Sequence, residues 1–203
     1  TAAGRAHFTK LAEDIVKQFS LTGDDLVVDI GSNVGTLLEG FKAQGVKVLG
    51  VEPARKIAEI ARERGIDTTI EFFDRGLAAR IVQYRSRAKI ITATNVFAHV
   101  DNLHEFMVAV DTLLTPDGAL IIECPHFLKL VQGLEYDTIY HEHLSYIAAR
   151  PLTWLFKQHG YEIFDVQQIG IHGGSIRVYV ARIGTQEVAP AVADMIEAEE
   201  EAG

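Results

Sequence analysis

The stretch Leu26-Val27-Val28-Asp29-Ile30-Gly31-Ser32-Asn33-Val34-Gly35 decides the fold of this chain. Its apolar first half, residues 26–30, predicts a buried strand, and the helical spacing of apolar residues from 37 to 41 predicts a helix just after Gly35. Glycine allows a positive φ and a close approach of a ligand to the backbone, and the start of a helix offers unpaired N–H groups. The loop 31–35 is therefore either a cradle for a small ligand or an ordinary strand-to-helix turn.

On both sides of this loop, apolar runs alternate with helical patterns. The predicted strands cover residues 26–30, 47–53, 68–74, 88–96 and 119–123, and two more at 161–169 and 175–183 follow a last helix. Residues 170–174 are too few for a helical crossover, so the last two strands form an antiparallel hairpin. The pattern predicts an α/β fold with a doubly wound, Rossmann-like sheet of seven strands, mostly parallel with a closing antiparallel hairpin. Such a closing hairpin is expected in the sheet of a seven-stranded methyltransferase and is not expected in a dinucleotide-binding dehydrogenase.

Composition narrows the class of protein. The chain has 203 residues, enough for one domain, and its net charge of −9 argues against a nucleic-acid partner. Cys124 is the only cysteine, which excludes an intrachain disulfide and a zinc site built from cysteines. No apolar run reaches the length of a membrane span and the N-terminus lacks a signal-peptide pattern, so we expect a cytoplasmic protein with no membrane partner. Residues 1–184 are predicted to form the domain, and residues 185–203 an acidic stub or the start of a truncated C-terminal domain. The acidic run 197–201 is predicted to be a solvated helix face or tail rather than a site.

The loop does not have the spacing of a dinucleotide site. It runs Asp29-x-Gly31-x-x-x-Gly35, and Asn33 and Thr36 occupy the places of the second and third glycines, which disfavours an NAD enzyme. Glu52 ends the second strand, where a carboxylate can accept hydrogen bonds from both hydroxyls of a ribose. Asp29 suits the positively charged amino-acid end of S-adenosylmethionine. Alternatively, Glu52 is a helix-start acid and Asp29 only braces the turn.

On these residues the chain resembles the class I S-adenosylmethionine-dependent methyltransferases. The resemblance implies that Gly31, Asn33 and Gly35 cradle the methionine moiety and that Glu52 holds the ribose. It also implies that Phe73 or Asp74 flanks the adenine and that Asn95 borders the sulfonium.

A second polar group lies at residues 135–146, after the fifth predicted strand and at the active end of the sheet. Histidine can abstract a proton near neutral pH, and a tyrosine hydroxyl can donate to a developing oxyanion. Glu142 and either His141 or His143 could form an orienting pair. The alternatives are a structural polar loop and a metal site, and the second is disfavoured because adjacent residues tend to point apart. No metal is expected.

The stretches 94–100, 135–146 and 171–178 make the resemblance more specific. Together they are similar to the sugar C-methyltransferases that alkylate nucleotide-linked 4-keto-deoxysugars, from about His7 to Ala181. The resemblance implies that His143 removes the proton α to the ketone and that Tyr140 stabilises the enolate. It also implies that Glu142 and His99 line the same pocket. Val34 stands where these enzymes usually have an aspartate. They also carry a zinc domain and a C-terminal domain, so the chain is expected to be a fragment or a reduced version.

Some positions keep two interpretations. His99 follows a buried strand and could be a satisfied loop histidine. In the hairpin, His172, Ser175 or Arg177 could face the substrate, or the glycines could serve the turn while the arginine is solvated.

The leading hypothesis for function is methylation, with S-adenosylmethionine, of a carbon α to the ketone of a nucleotide-linked sugar. The first alternative is O- or N-methylation of another small metabolite. The second is a cofactor-binding module without turnover.

Overall fold

The apolar half of the opening stretch forms a fully buried strand in the computed structural model, which describes residues 2–170 and 173–202. This strand, β1 (Leu26–Ile30), pairs in parallel with β2 (Lys47–Val51), and β2 pairs in parallel with β3 (Thr68–Thr69). Strands covered on both faces need mostly apolar side chains, and Asp29 is the one charged residue of β1. The remaining strands are β4 (Ala88–Thr94), β5 (Leu114–Pro125), β6 (Tyr161–Ile169) and β7 (Ser175–Arg182).

The helices of the described residues lie between these strands and at the two ends. They are α1 (Ala2–Gln18), α2 (Thr36–Ala43), α3 (Arg55–Glu63), α4 (Arg75–Tyr84), α5 (Leu103–Leu113), α6 (Phe127–Gly133), α7 (Ala149–Gln158) and α8 (Pro190–Ala202). None of them combines the length and the apolar composition that a bilayer crossing requires.

The strands form one seven-stranded sheet in the order β3-β2-β1-β4-β5-β7-β6. β7 is antiparallel to both β5 and β6, with a bulge in β6 between Ile163 and Asp165. The predicted α/β fold with a closing antiparallel hairpin is therefore confirmed.

The chain divides into two compact units. The first contains Thr1–Thr92 and Ala109–Thr115, and the second contains Ala93–Val108 and Pro116–Gly203. The first unit holds the opening stretch with β1 to β3, and the second holds residues 135–146 with the hairpin.

The third strand is much shorter than predicted. It ends at Thr69, although β-forming residues continue to Phe73. Asp74 explains the difference, because it is the N-cap of α4 and its carboxylate accepts the backbone N–H of Leu77 at 2.7 Å. The chain must leave the sheet before this cap, and Phe72 is largely exposed as a result.

Helix α8 lies against β6 and α7 within the second unit. The prediction of a solvated acidic face at residues 197–201 is wrong for Glu199, whose side chain is only 7% exposed. Glu199 Oε1 accepts hydrogen bonds from the backbone N–H of Ala149 and from Nε2 of His126, both at 2.7 Å. Its Oε2 accepts the backbone N–H of Arg150 at 2.8 Å. The carboxylate therefore caps the first turn of α7, where a negative charge is favourable.

Glu199 should make the stability of the protein depend on acid. Burial raises its pKa, but the hydrogen bonds from His126, Arg150 and Ala149 outweigh burial and hold the pKa below its ordinary value. A depressed pKa means that the stabilisation is complete above the unfolded-state value and is lost as the pH falls through the folded-state value. Glu199→Gln should cost about 2 kcal/mol at neutral pH, and this difference from the wild type should shrink below about pH 4.5. Urea unfolding across this range measures it, with exposed Glu197→Gln as the control. An unchanged difference at low pH would contradict the prediction.

Candidate functional site

The loop after β1 is a tight turn built from left-handed backbone. Gly31, Asn33 and Gly35 have φ values of 66°, 50° and 78°. Gly31 N–H donates to the carbonyl of Val51 at 2.8 Å, which ties the loop to the end of β2. A Cβ on Gly35 would lie 3.0–3.2 Å from side-chain atoms of Ile66, so glycine is needed there for space as well as for φ. Asparagine tolerates the left-handed region better than most residues, which accounts for Asn33.

Glu52 braces this loop from the end of β2. It is 8% exposed, and its Oε2 accepts the backbone N–H of Asn33 at 3.1 Å while its Oε1 accepts that of Ala54 at 2.8 Å. The second contact reaches the residue just before α3, so the alternative interpretation of Glu52 as a helix-start acid stays open. A carboxylate accepts about four hydrogen bonds, so these two contacts leave capacity for ribose hydroxyls, and that role stays a prediction.

Asp29 and Ser32 are the buried polar residues of the stretch. Asp29 is 2% exposed and accepts the hydroxyl of Thr92 at 2.6 Å, which links β1 to β4. Ser32 Oγ is buried without a hydrogen-bond partner among the described residues. It packs so closely over Gly50 that a Cβ there would lie 2.5 Å away. A buried hydroxyl without a partner is a place where a ligand or a water can bind, so the loop fits a small polar ligand. No pattern in the sequence indicated Ser32.

Phe73, Asp74 and Asn95, which were predicted to contact the cofactor, lie in loops next to helices or strands. In the first unit, Asp74 caps α4 and Phe73 just before it is partly buried. In the second unit, Asn95 follows β4 with a φ of 56°, and its N–H donates to the carbonyl of Glu123 at 2.7 Å. Contacts of these residues with adenine or sulfonium stay predictions.

The second unit brings His99, Tyr140 and His143 together, and we call these three residues the histidine cluster. The ring of His143 lies 4.5 Å from that of Tyr140 and 5.0 Å from that of His99, measured between centroids. Tyr140 is 42% exposed and both histidines are half-buried, so the cluster is accessible to a substrate.

Hydrogen bonds to carbonyl groups fix the tautomers of both histidines. His143 Nδ1 lies 2.8 Å from the carbonyl oxygen of Thr138, and His99 Nδ1 lies 2.8 Å from that of Glu142. A carbonyl oxygen can only accept, so Nδ1 carries the hydrogen in each ring. In the neutral imidazole, Nε2 then holds the lone pair and is the basic atom.

Backbone contacts hold the cluster in place. The carbonyl of Ala98 accepts the N–H groups of Leu144 and Ser145 at 2.9 and 3.1 Å. Glu142 contacts His99 through its main-chain carbonyl, so the structure gives a carbonyl–histidine pair where sequence analysis considered a carboxylate–histidine pair. Thr138 was missed as the anchor of His143, and no sequence signal could have found it because every residue has a carbonyl.

The hairpin arginine is not solvated. Arg177 is 7% exposed, and its Nε donates to Glu123 Oε1 at 2.6 Å while its Nη1 donates to Gln167 Oε1 at 3.2 Å. Burial acts to lower the pKa of Arg177, but its interactions with Glu123 and Tyr179 together outweigh burial and raise the pKa above its ordinary value. Ser175 is also buried, and His172 lies outside the described residues.

Thiol chemistry and metal binding find little support in the described residues. Burial, with a smaller contribution from Glu123, raises the pKa of Cys124 to about 12, so the thiol stays protonated and unreactive. No group of three or more histidine, cysteine or acidic side chains within residues 2–170 and 173–202 is arranged to hold a metal ion.

Known proteins with similar sequences include methyltransferases. The C-methyltransferase NovU of Streptomyces niveus is 39% identical over 198 residues, which cover 97% of this chain and 47% of that protein. The ubiquinone biosynthesis O-methyltransferase of Rhodopseudomonas palustris (strain BisA53) is 25% identical over 115 residues, 54% of this chain and 46% of that protein. The chain therefore spans about half the length of these curated relatives.

Solved structures share the fold. The magnesium protoporphyrin IX methyltransferase ChlM of Synechocystis PCC 6803 with bound SAH superposes with a TM-score of 0.66 at 15% identity, covering 89% of this chain and 84% of that one. The family model described as a methyltransferase domain matches residues 5–166. Because this match takes in the loop, Glu52 and the histidine cluster, and most of the chain, the protein belongs to the methyltransferase domain family.

Proposed function

We propose that this protein transfers a methyl group from S-adenosylmethionine to a carbon α to the ketone of a nucleotide-linked 4-keto-deoxysugar. Family membership and the likeness to a C-methyltransferase support the reaction type. The resemblance of residues 94–100, 135–146 and 171–178 to sugar C-methyltransferases supports the substrate class. S-adenosylmethionine supplies an electrophilic methyl group, and the loop 31–35 with Glu52 fits such a ligand through its close backbone approach and its buried polar atoms.

The observation that carries the proposal is the fixed tautomer of His143. With Nδ1–H held by the carbonyl of Thr138, Nε2 is the base that takes the proton α to the ketone. The electron pair of the broken C–H bond moves into the enolate, whose oxygen receives a hydrogen bond from the Tyr140 hydroxyl. The enolate carbon then bonds to the methyl carbon as the bond from sulfur to methyl breaks, and His143 afterwards releases its proton to solvent.

Product structure tests the proposal. Incubation of the protein with ¹³C-methyl-labelled S-adenosylmethionine and nucleotide-linked 4-keto-deoxysugars should give a ¹³C signal of a methyl group on carbon. A signal of a methyl group on oxygen would favour the alternative of O-methylation, for which the O-methyltransferase relative is the supporting observation. Transfer to no ketosugar, with S-adenosylmethionine still bound, would overturn the proposed reaction.

Glu52→Gln should weaken S-adenosylmethionine binding by roughly 10- to 100-fold, because charge-assisted hydrogen bonds contribute about 1.5–3 kcal/mol each. The amide also places an N–H₂ donor against the N–H of Asn33 or Ala54, which disturbs the loop. Titration calorimetry measures the change. Glu59→Gln, an exposed residue of α3, is the matched control and should bind like the wild type. Equal affinity in Glu52→Gln would contradict the ribose role.

A further inference from the structure

The segment that carries Tyr140 and His143 is a loop whose two ends meet. His126 and Ile147 form an isolated parallel bridge, and the N–H of Phe127 donates to the carbonyl of Ile147 at 2.8 Å. We call His126, Phe127 and Ile147 the neck of this loop. The 19 residues between Phe127 and Ile147 include Tyr140 and His143, so the neck fixes both ends of the segment that carries these two side chains.

One carboxylate of α8 binds both sides of the neck. On one side of the neck, Glu199 accepts a hydrogen bond from Nε2 of His126. On the other side, it accepts hydrogen bonds from the backbone N–H groups of Ala149 and Arg150, which follow Ile147 in the chain. His126 is fully buried. Its backbone N–H donates to the carbonyl of Gly174 at 3.0 Å, so His126 also connects the neck to the hairpin. This hydrogen bond joins a carboxylate to a fully buried imidazole, so replacing only one partner leaves the other without it.

From this geometry we propose that Glu199 is a positioning residue for the histidine cluster, acting through His126 and the start of α7 to hold the neck closed. The inference rests on the proposed function only for its effect on turnover. The effect of Glu199 on the placement of His143 can be measured in the protein without any substrate.

Two features favour a holding role over a purely local cap. The pKa of Glu199 lies below its ordinary value because its hydrogen bonds outweigh burial, so the carboxylate is charged at neutral pH and binds its donors strongly. Its partners also come from two separate segments, His126 after β5 and the first turn of α7. A local cap of α7 needs only the second.

The test compares Glu199→Gln with Glu197→Gln, an exposed acid two residues earlier on the same helix. In Glu199→Gln, backbone amides of residues 135–146 should exchange with deuterium roughly tenfold faster. The ¹⁵N-imidazole signals of His143 should shift away from the Nδ1–H tautomer. With ketosugar substrate, kcat should fall roughly tenfold or more, while the KM for S-adenosylmethionine stays within about twofold. Glu197→Gln should match the wild type in every measurement.

A second pair of variants covers the case in which Glu199→Gln does not fold. His126→Leu removes the bridge to the neck but leaves the cap of α7, whereas His126→Gln keeps a donor for Glu199. Exchange and imidazole signals should change in the first and return towards wild type in the second. Unchanged signals in a folded Glu199→Gln or His126→Leu overturn the proposal. If the signals change as expected but the wild type methylates no ketosugar, the proposed function fails and the positioning role stands.

Discussion

Replacing His143 by alanine should lower kcat for methyl transfer roughly 10²- to 10⁴-fold, the usual contribution of a general base. The reason is that Nε2 of His143 is the basic atom of a ring fixed by its Nδ1–H bond to Thr138. S-adenosylmethionine affinity should stay within about twofold, because His143 is not among the predicted cofactor residues. Steady-state rates with the ketosugar and calorimetry with the cofactor measure the two quantities separately.

Deuterium exchange shows which step His143 serves. In D₂O without a methyl donor, the wild type should exchange the hydrogen α to the ketone, and His143→Ala should not. Tyr140→Phe should exchange more slowly because the enolate oxygen loses a donor. His141→Ala is the matched control, since His141 is an exposed histidine two residues before His143 and is not one of the three residues of the histidine cluster. Retention of wild-type exchange by His143→Ala would assign the base to another residue, and His99 would be the next candidate because its Nε2 is also the basic atom.

The sequence predicts well what depends on side-chain type and spacing. An apolar run ended by two glycines at 31 and 35 can hardly be other than a buried strand and a tight turn, and both are present. The hairpin follows because residues 170–174 are too short for a crossover. By contrast, the third strand is over-predicted, since β-propensity continues to Phe73 but the capping of α4 by Asp74 requires the chain to leave the sheet.

What the sequence does not predict depends on the backbone or on contacts between distant residues. The tautomer of His143 follows from a carbonyl of Thr138, and a carbonyl has no signature in the sequence. Charge runs are usually solvated, yet α8 buries the side chain of Glu199 against the first turn of α7. Glu52 was predicted from its place at the end of a strand, while its hydrogen bonds to the N–H groups of Asn33 and Ala54 depend on the exact loop path.

The largest expected loss of stability comes from Arg177→Met, about 3–5 kcal/mol. The substitution leaves the carboxylate of Glu123, which is fully buried, without the guanidinium that donates to it at 2.6 Å. The register explains why the pair forms, since Arg177 lies opposite Glu123 on β5 and opposite Gln167 on β6. Chemical denaturation gives the free energy of unfolding. Arg182→Met is the control on the same strand, because Arg182 stacks over the Tyr161 ring at 5.0 Å and should cost only about 0.5–1 kcal/mol.

A double-mutant cycle separates the cost of an unpaired charge from the net contribution of the pair. Glu123→Gln with Arg177→Met removes both charges and should be less destabilised than Arg177→Met alone, with a coupling of about 1–3 kcal/mol. Additive losses would mean that the two side chains stabilise the sheet independently. The pair also bears on the site, because the main-chain carbonyl of Glu123 accepts the N–H of Asn95, four residues before His99, at 2.7 Å. We therefore expect Arg177→Met to lower kcat as well, whereas Arg182→Met should leave kcat unchanged.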